Sequence, residues 1–193
     1  MPKRRMTIPT ELELREAGDE NDLIIEGYFA VYNSDYIMTD TASESIAPNA
    51  FTKSLGGDIR ALINHDTTLV LGRTTAGTLE IREDDHGVYG RVKVNPNDRA
   101  ALDIYARVKR GDVTQCSIGF EILDEDTDIR ADGSVHWTIK QASLFEVSVC
   151  TFPAYESTEV HARDKDIEAI RAREAQAWKT KTLKSLKGGK EDA

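Results

Sequence analysis

The chain has 193 residues, which allows one domain with a real core, or one domain plus a tail. With 39% hydrophobic and 31% charged residues, it reads as a soluble globular protein with some extended polar segments. Apolar runs such as Leu23-Ile24-Ile25 are far too short to cross a bilayer, which argues against a membrane protein. The net charge of −9 is unevenly spread: residues 162–193 hold nine Lys/Arg against six Asp/Glu (+3), and the other 161 hold sixteen against twenty-eight (−12). An acidic body disfavours nucleic acid as a partner, because neutralising phosphates takes clustered cations.

The basic start, Met1 to Leu14, has no apolar segment behind it, so no secretory signal is expected and a cytosolic setting follows. Cys116 and Cys150 are then expected as free, buried thiols. The alternation of Glu11 to Arg15 predicts a strand, paired as a hairpin with a second over Leu23 to Val31. Tyr32 to Ser45 reads as polar and irregular, and Pro48-Asn49-Ala50-Phe51 as the first turn of a short helix. A short strand over Ile59 to Ile63 ends at Asn64-His65-Asp66. Thr78 to Arg82 and Gly87 to Val94 flank a hairpin turn. Asn97 to Arg110 is the one clear helix, with an Asn/Asp cap, cations in its last turn and Gly111 as a stop.

Two long strands follow, Thr114 to Leu123 and Val135 to Cys150, joined by an acidic loop containing Ala131-Asp132-Gly133-Ser134. From Ala162 onward the composition turns to Ala, Arg, Lys and Glu, predicting a helical and finally flexible tail. That tail either serves as a docking segment outside the body or packs on it as a helix. The fold class expected is α+β: a β-rich, mainly antiparallel, closed or nearly closed barrel over residues 1–161 with a few flanking helices, and a basic tail over 162–193.

Within Cys116-Ser117-Ile118-Gly119-Phe120, strand alternation turns Cys116, Ile118 and Phe120 to the core and Ser117 with Gly119 to the other face. A serine beside a glycine leaves room above it for a substrate backbone, although an ordinary strand serine has the same pattern. In the second strand Phe145, Val147 and Val149 form the apolar face, with Glu146 and Ser148 opposite. Glu146 is either a surface carboxylate or the group that accepts from an imidazole and sets its tautomer. His65 ends a strand, where binding residues are commonly displayed, and His136 competes with it as a base. His86 and His161 look less constrained. The four histidines lie at least 21 residues apart, so no metal-ligand spacing arises and no metal is expected.

Six segments, in order, resemble those of tailed-bacteriophage prohead proteases. They are Ile25-Glu26-Gly27-Tyr28-Phe29-Ala30-Val31-Tyr32, Ile46-Ala47-Pro48-Asn49-Ala50-Phe51, Asn64-His65-Asp66, Leu71-Gly72-Arg73-Thr74, Cys116 to Phe120, and Leu144-Phe145-Glu146-Val147-Ser148 with Phe152-Pro153-Ala154. Asn49 departs from the glycine expected before Ala-Phe, which bears on the backbone of that turn.

The resemblance implies a fold similar to herpesvirus assemblin, a β-barrel with a strand-borne nucleophile, and the chain order His, Ser, third member. Carried over by motif, His65 is the general base, Ser117 the nucleophile and Glu146 the orienter, a place that a second histidine takes in assemblins. Arg73 is a candidate oxyanion or substrate donor, and an ordinary surface arginine would look the same. The implied activity is that of a serine endopeptidase needing no cofactor, which cleaves the scaffolding segment of the major capsid protein and itself during assembly. The implied partners are therefore those proteins and itself, with a homodimer among the assemblies it allows. The implied place is inside the prohead in the host cytoplasm, encoded by a prophage when integrated. A non-catalytic β-barrel capsid assembly or scaffold factor is the alternative, and a metal-dependent hydrolase a second; unreactive Ser117 or chelator sensitivity would mark them.

Overall fold

The computed structural model describes residues 23–152, the backbone of Lys3–Ile8 and Leu12–Glu16, and the helical positions Ala172, Ala175, Gln176, Lys179 and Thr180. The chain separates into two units, Met1–Tyr155 and Glu156–Ala193. The expected boundary after residue 161 and nearly all of the basic tail lie outside the described residues. No helix among the described residues is long and apolar enough to cross a membrane.

In chain order the elements are β1 (Lys3–Ile8), β2 (Leu12–Glu16), β3 (Leu23–Val31), β4 (Tyr36–Thr39), β5 (Ala42–Ile46), β6 (Arg60–Ile63) and β7 (Asp66–Arg73). A single 3-10 turn (Thr74–Ala76) leads to β8 (Leu79–Glu83), β9 (Gly87–Lys93), α1 (Arg99–Arg110), β10 (Gln115–Ile129) and β11 (Val135–Cys150). The β2/β3 and β8/β9 hairpins and α1 form where alternation, turn chemistry and capping predict them. Asp84 caps the β8/β9 turn by accepting from the backbone N–H groups of His86 and Gly87. Asp98 caps α1 by accepting from Ala100 and Ala101, and Gly111 ends it at φ 83°, a left-handed conformation that suits glycine.

One sheet runs β1-β10-β11-β5-β4, and the other β2-β3-β9-β8. The long strand β11 is the spine of the first: its start pairs in parallel with β5, and its end pairs in parallel with β6, which carries β7. Ile25, Phe29, Val88 and Val92 of one sheet belong to the same buried cluster as Ile118, Phe120, Val147 and Val149 of the other. Phe51 meets Phe120 edge to face, ring centroids 5.8 Å apart.

Several expectations need correction. Among the described residues no ladder joins the two sheets, so the barrel is not closed. The two sheets meet instead through one shared apolar core, which side chains from both faces fill without any strand crossing from one sheet to the other. Tyr32 to Ser45 is not irregular, because it contains β4 and β5. All of Ala42–Ile46 is buried, and Ser43 and Ser45 face a buried histidine, so polar partners inside the sheet hide the period-two signal.

Residues 48–56 form successive turns rather than a helix. Asn49 lies at φ 65°, a left-handed conformation that breaks helical propagation and that asparagine tolerates well in glycine's place. β10 runs on through its acidic stretch to Ile129, where Lys140 of β11 pairs with Asp124 and Asp126. β1 and β7 were not anticipated. Cys116 and Cys150 are buried thiols, as expected.

Glu83 pins the 48–56 turns to the second sheet. Its carboxylate accepts from the Phe51 backbone N–H (3.0 Å), from Thr52 Oγ1 (2.6 Å) and from the Tyr32 hydroxyl. Burial, and then the Glu83 carboxylate, push the Tyr32 hydroxyl well above the usual phenol range, so it stays a donor. Removing that donor in Tyr32→Phe should lower unfolding free energy by about 1.5–3 kcal/mol, the usual worth of a hydrogen bond to a charged group. Urea denaturation of both proteins checks it.

Candidate active site

The β6/β7 connection is a two-residue hairpin in which Asn64 (φ 49°) and His65 (φ 60°) are both left-handed. Two such residues in succession are the demand of a type I′ turn. Asparagine takes that conformation readily, but histidine does so at a cost of about 1–2 kcal/mol, so the surroundings must hold it. They do so from β11. The Asn64 N–H donates to Val149 O (3.0 Å), Thr151 N–H donates to Asn64 Oδ1 (2.9 Å), and the His65 N–H donates to Ser148 Oγ (3.3 Å). Asp66 is engaged locally, accepting from the Thr68 hydroxyl and N–H, which hold its carboxyl below its ordinary value.

His65 Nδ1 stands 2.5 Å from Glu146 Oε1, and both side chains are more than nine-tenths buried, at 8% and 5% exposure. A buried carboxylate needs donors, and Glu146 has a second one: Ser148 Oγ donates to its Oε2 at 2.7 Å. The Ser148 hydroxyl thus accepts from the His65 backbone and donates to the carboxylate that accepts from the His65 ring. This loop fixes the ring with its proton on Nδ1 and leaves Nε2 as the acceptor. Nε2 lies 3.8 Å from Cys150 Sγ.

A β-bulge borders this face. Gly119 pairs with Glu146, but the next residue, Phe120, pairs with Leu144, leaving Phe145 as the extra residue. This corrects the expected apolar face of Phe145, Val147 and Val149. Leu144 takes the core place, and the half-buried Phe145 turns over Gly119. A Cβ on Gly119 would lie 2.7 Å from Glu146 Cγ and from Phe145 Cε2, and closer still to Glu146 Oε1. Only glycine lets the carboxylate lie against β10.

Ser117 faces Ser148 directly across the β10/β11 ladder, on the same side as Gly119 and Glu146. The imidazole touches both Glu146 and Cys150, which flank Ser148 on that face, so the ring lies above the residue opposite Ser117. The room expected above Ser117 is not there, since the residue is fully buried. Ser148 was read as sharing Glu146's face without a task; its place two residues on was the only signal of one.

Arg73 stands two strands from Glu146 in the same cross-strand row, through Arg60, or about 10 Å at ordinary strand spacing. Its guanidinium grips Asp58 with two hydrogen bonds of 2.6 Å. His136 lies ten residues before Glu146 on β11, about 30 Å along an extended strand. Both its ring nitrogens are engaged, by Ser43 Oγ (2.8 Å) and Ser45 Oγ (2.9 Å). His86 sits in the β8/β9 turn against the Tyr28 ring, and His161 falls outside the described residues.

The family model for the caudovirus prohead serine protease matches residues 10–173, most of the chain. The chain belongs to this family. It is 32% identical over 173 residues to the prohead protease of Enterobacteria phage HK97, covering 87% of this chain and 72% of that protein. Its fold is similar to that of the bacteriophage T4 capsid assembly protease, with a TM-score of 0.53 at 13% identity over 78% of this chain and 98% of that one. The protein is thus a phage prohead maturation protease of the serine class, and the six resembling segments identified it correctly.

Two consequences of this prohead protease's geometry can be measured. Gly119→Ala should drive the Glu146 carboxylate off the ring. Its activity should fall at least about tenfold, because the His65 ring loses the carboxylate that holds it, while the chain still unfolds cooperatively. The Arg73 hydrogen bond, with Arg60 nearby, holds the Asp58 carboxyl at about 2 against an ordinary 3.8. A depressed folded value stabilises above the ordinary value and is lost as pH falls through about 2. Asp58→Asn should therefore have a slightly lower urea midpoint than the parent near neutral pH, and the gap should close towards pH 2; the exposed pair makes it small.

Proposed function

We propose that the protein is an endopeptidase in which Ser117 is the nucleophile, His65 the general base and Glu146 the orienter. The observation that carries the reading is the 2.5 Å contact of His65 Nδ1 with Glu146 Oε1, seated over Gly119 beside Ser117. In this reading His65 Nε2 takes the Ser117 hydroxyl proton as Oγ attacks the scissile carbonyl. Glu146 stabilises the imidazolium, which then protonates the leaving amine. Water, deprotonated by the same nitrogen, releases the acyl group and restores Ser117. Backbone N–H groups are the candidate oxyanion donors, and Arg73 a further one if it leaves Asp58.

The substrate in this reading is the scaffolding segment of the major capsid protein, together with the protease itself. The setting is the assembling prohead in the host cytoplasm. Support comes from the family and from the similarity to a prohead protease and a capsid assembly protease.

Incubating the purified chain with its capsid protein and mapping the new termini tests this. Ser117→Ala and His65→Ala should each cut the rate by about 10⁴-fold or more, and the double variant should lose little beyond either, because such groups act as a unit. Glu146→Gln should lose less than either single variant. Cys150→Ala is the control, since its thiol also lies beside Nε2, and it should stay active. An active Ser117→Ala together with a silent Cys150→Ala would move the nucleophile to the thiol.

A further inference from the structure

A nucleophile must meet its substrate, yet Ser117 is fully buried. For a polypeptide to reach it, a neighbouring element has to move. Among the described residues three elements stand beside it. β11 is the spine of the sheet, paired on both sides. The Asn64-His65 turn is fastened to β11 by hydrogen bonds from both of its backbone N–H groups. β1 differs from both, being an edge strand held by β10 alone within its sheet.

The register of β1 is specific. It runs antiparallel to β10 from Lys3 opposite Glu121 to Ile8 opposite Cys116, and Thr7 lies opposite Ser117. β11 occupies the other side of β10, so the edge filled by β1 is the only one along which an extended peptide could pair beside Ser117. A strand added there carries its peptide planes roughly in the sheet, with the Ser117 side chain standing out of that plane beside them.

We infer that this edge of β10 is the binding edge for the extended substrate segment, and that β1 is a self-inhibitory strand occupying it. The inference rests on Ser117 being the nucleophile. Residues 3–8 compete with the capsid or scaffold polypeptide for one row of backbone hydrogen bonds, so only chains whose β1 has left the sheet can react. The apparent rate then scales with the fraction of chains in that open state.

The test measures labelling of Ser117 by a fluorophosphonate, and turnover of a capsid-derived peptide, in three full-length chains and one shortened chain. The full-length chains are the parent, Met6→Pro and Thr7→Pro; the shortened one begins at Thr10. Proline cannot donate to the ladder and loosens an edge strand without deleting it. The shortened chain and at least one proline variant should label and turn over faster than the parent, by about tenfold or more if the open state is minor in the parent. A synthetic peptide of residues 1–9 should slow the shortened chain again. Equal or slower labelling in the shortened chain and both proline variants overturns the inference, and so does loss of fold in the shortened chain with no gain in either proline variant. A Ser117→Ala control separates the two ideas: labelling that survives it means that Ser117 is not the nucleophile, whatever β1 does.

Discussion

Glu146 is a carboxylate with almost no access to water, and the arrangement around Ser117 follows from how that charge is satisfied. One oxygen takes the His65 ring and the other takes the Ser148 hydroxyl. To receive the ring, the β6/β7 turn must hold a histidine in a left-handed conformation, which the hydrogen bonds to β11 make tolerable. To lie against β10, the carboxylate needs a residue without a side chain opposite it, and Gly119 stands there. The bulge at Phe145, next along β11, turns that ring over the same glycine. A change in any of these would leave a buried charge poorly paired, so the geometry is held as a unit.

The other recognised segments act at a distance from this face, and their work is mechanical. Tyr32 and Phe51 meet on Glu83, which joins the turns after β5 to the hairpin of the second sheet. Arg73 closes on Asp58, and the Thr74 hydroxyl accepts from the Ile59 backbone N–H while donating to the carbonyl of Gly57, which fastens the two ends of the β6/β7 hairpin. That hairpin carries His65. The family pattern therefore marks the scaffold that positions the His65 ring as much as the residues proposed to do chemistry.

β11 explains how one strand serves both ends of the molecule. Its first half supports β5 and the buried His136 with Ser43 and Ser45, and its second half supports β6 and the Glu146 face. A strand paired throughout its length on one side and by two short parallel strands on the other has little freedom to shift. Among the described residues the edge strands β1, β4 and β7 pair on one side only within their sheet, which makes them the easiest to displace.

Much of this was legible in the chain itself. Period-two alternation located β3 and β11, capping residues located α1, and the turn residues of 83–86 located a hairpin, because each signal is local and each element answers to its own side chains. The ordered segments singled out His65, Ser117 and Glu146. Tertiary structure alone decided the rest. β5 was hidden because its serines are satisfied by a histidine 91 and 93 residues away, which no local pattern records. The bulge at Phe145 reversed the inward face of part of β11, because its cause is the pairing with β10 and not any feature of Phe145. The burial of Ser117 and the role of Ser148 depend on strands brought together from positions near 7, 65, 117 and 148. Sequence patterns report which face a residue prefers; only the assembled sheet determines what stands opposite it.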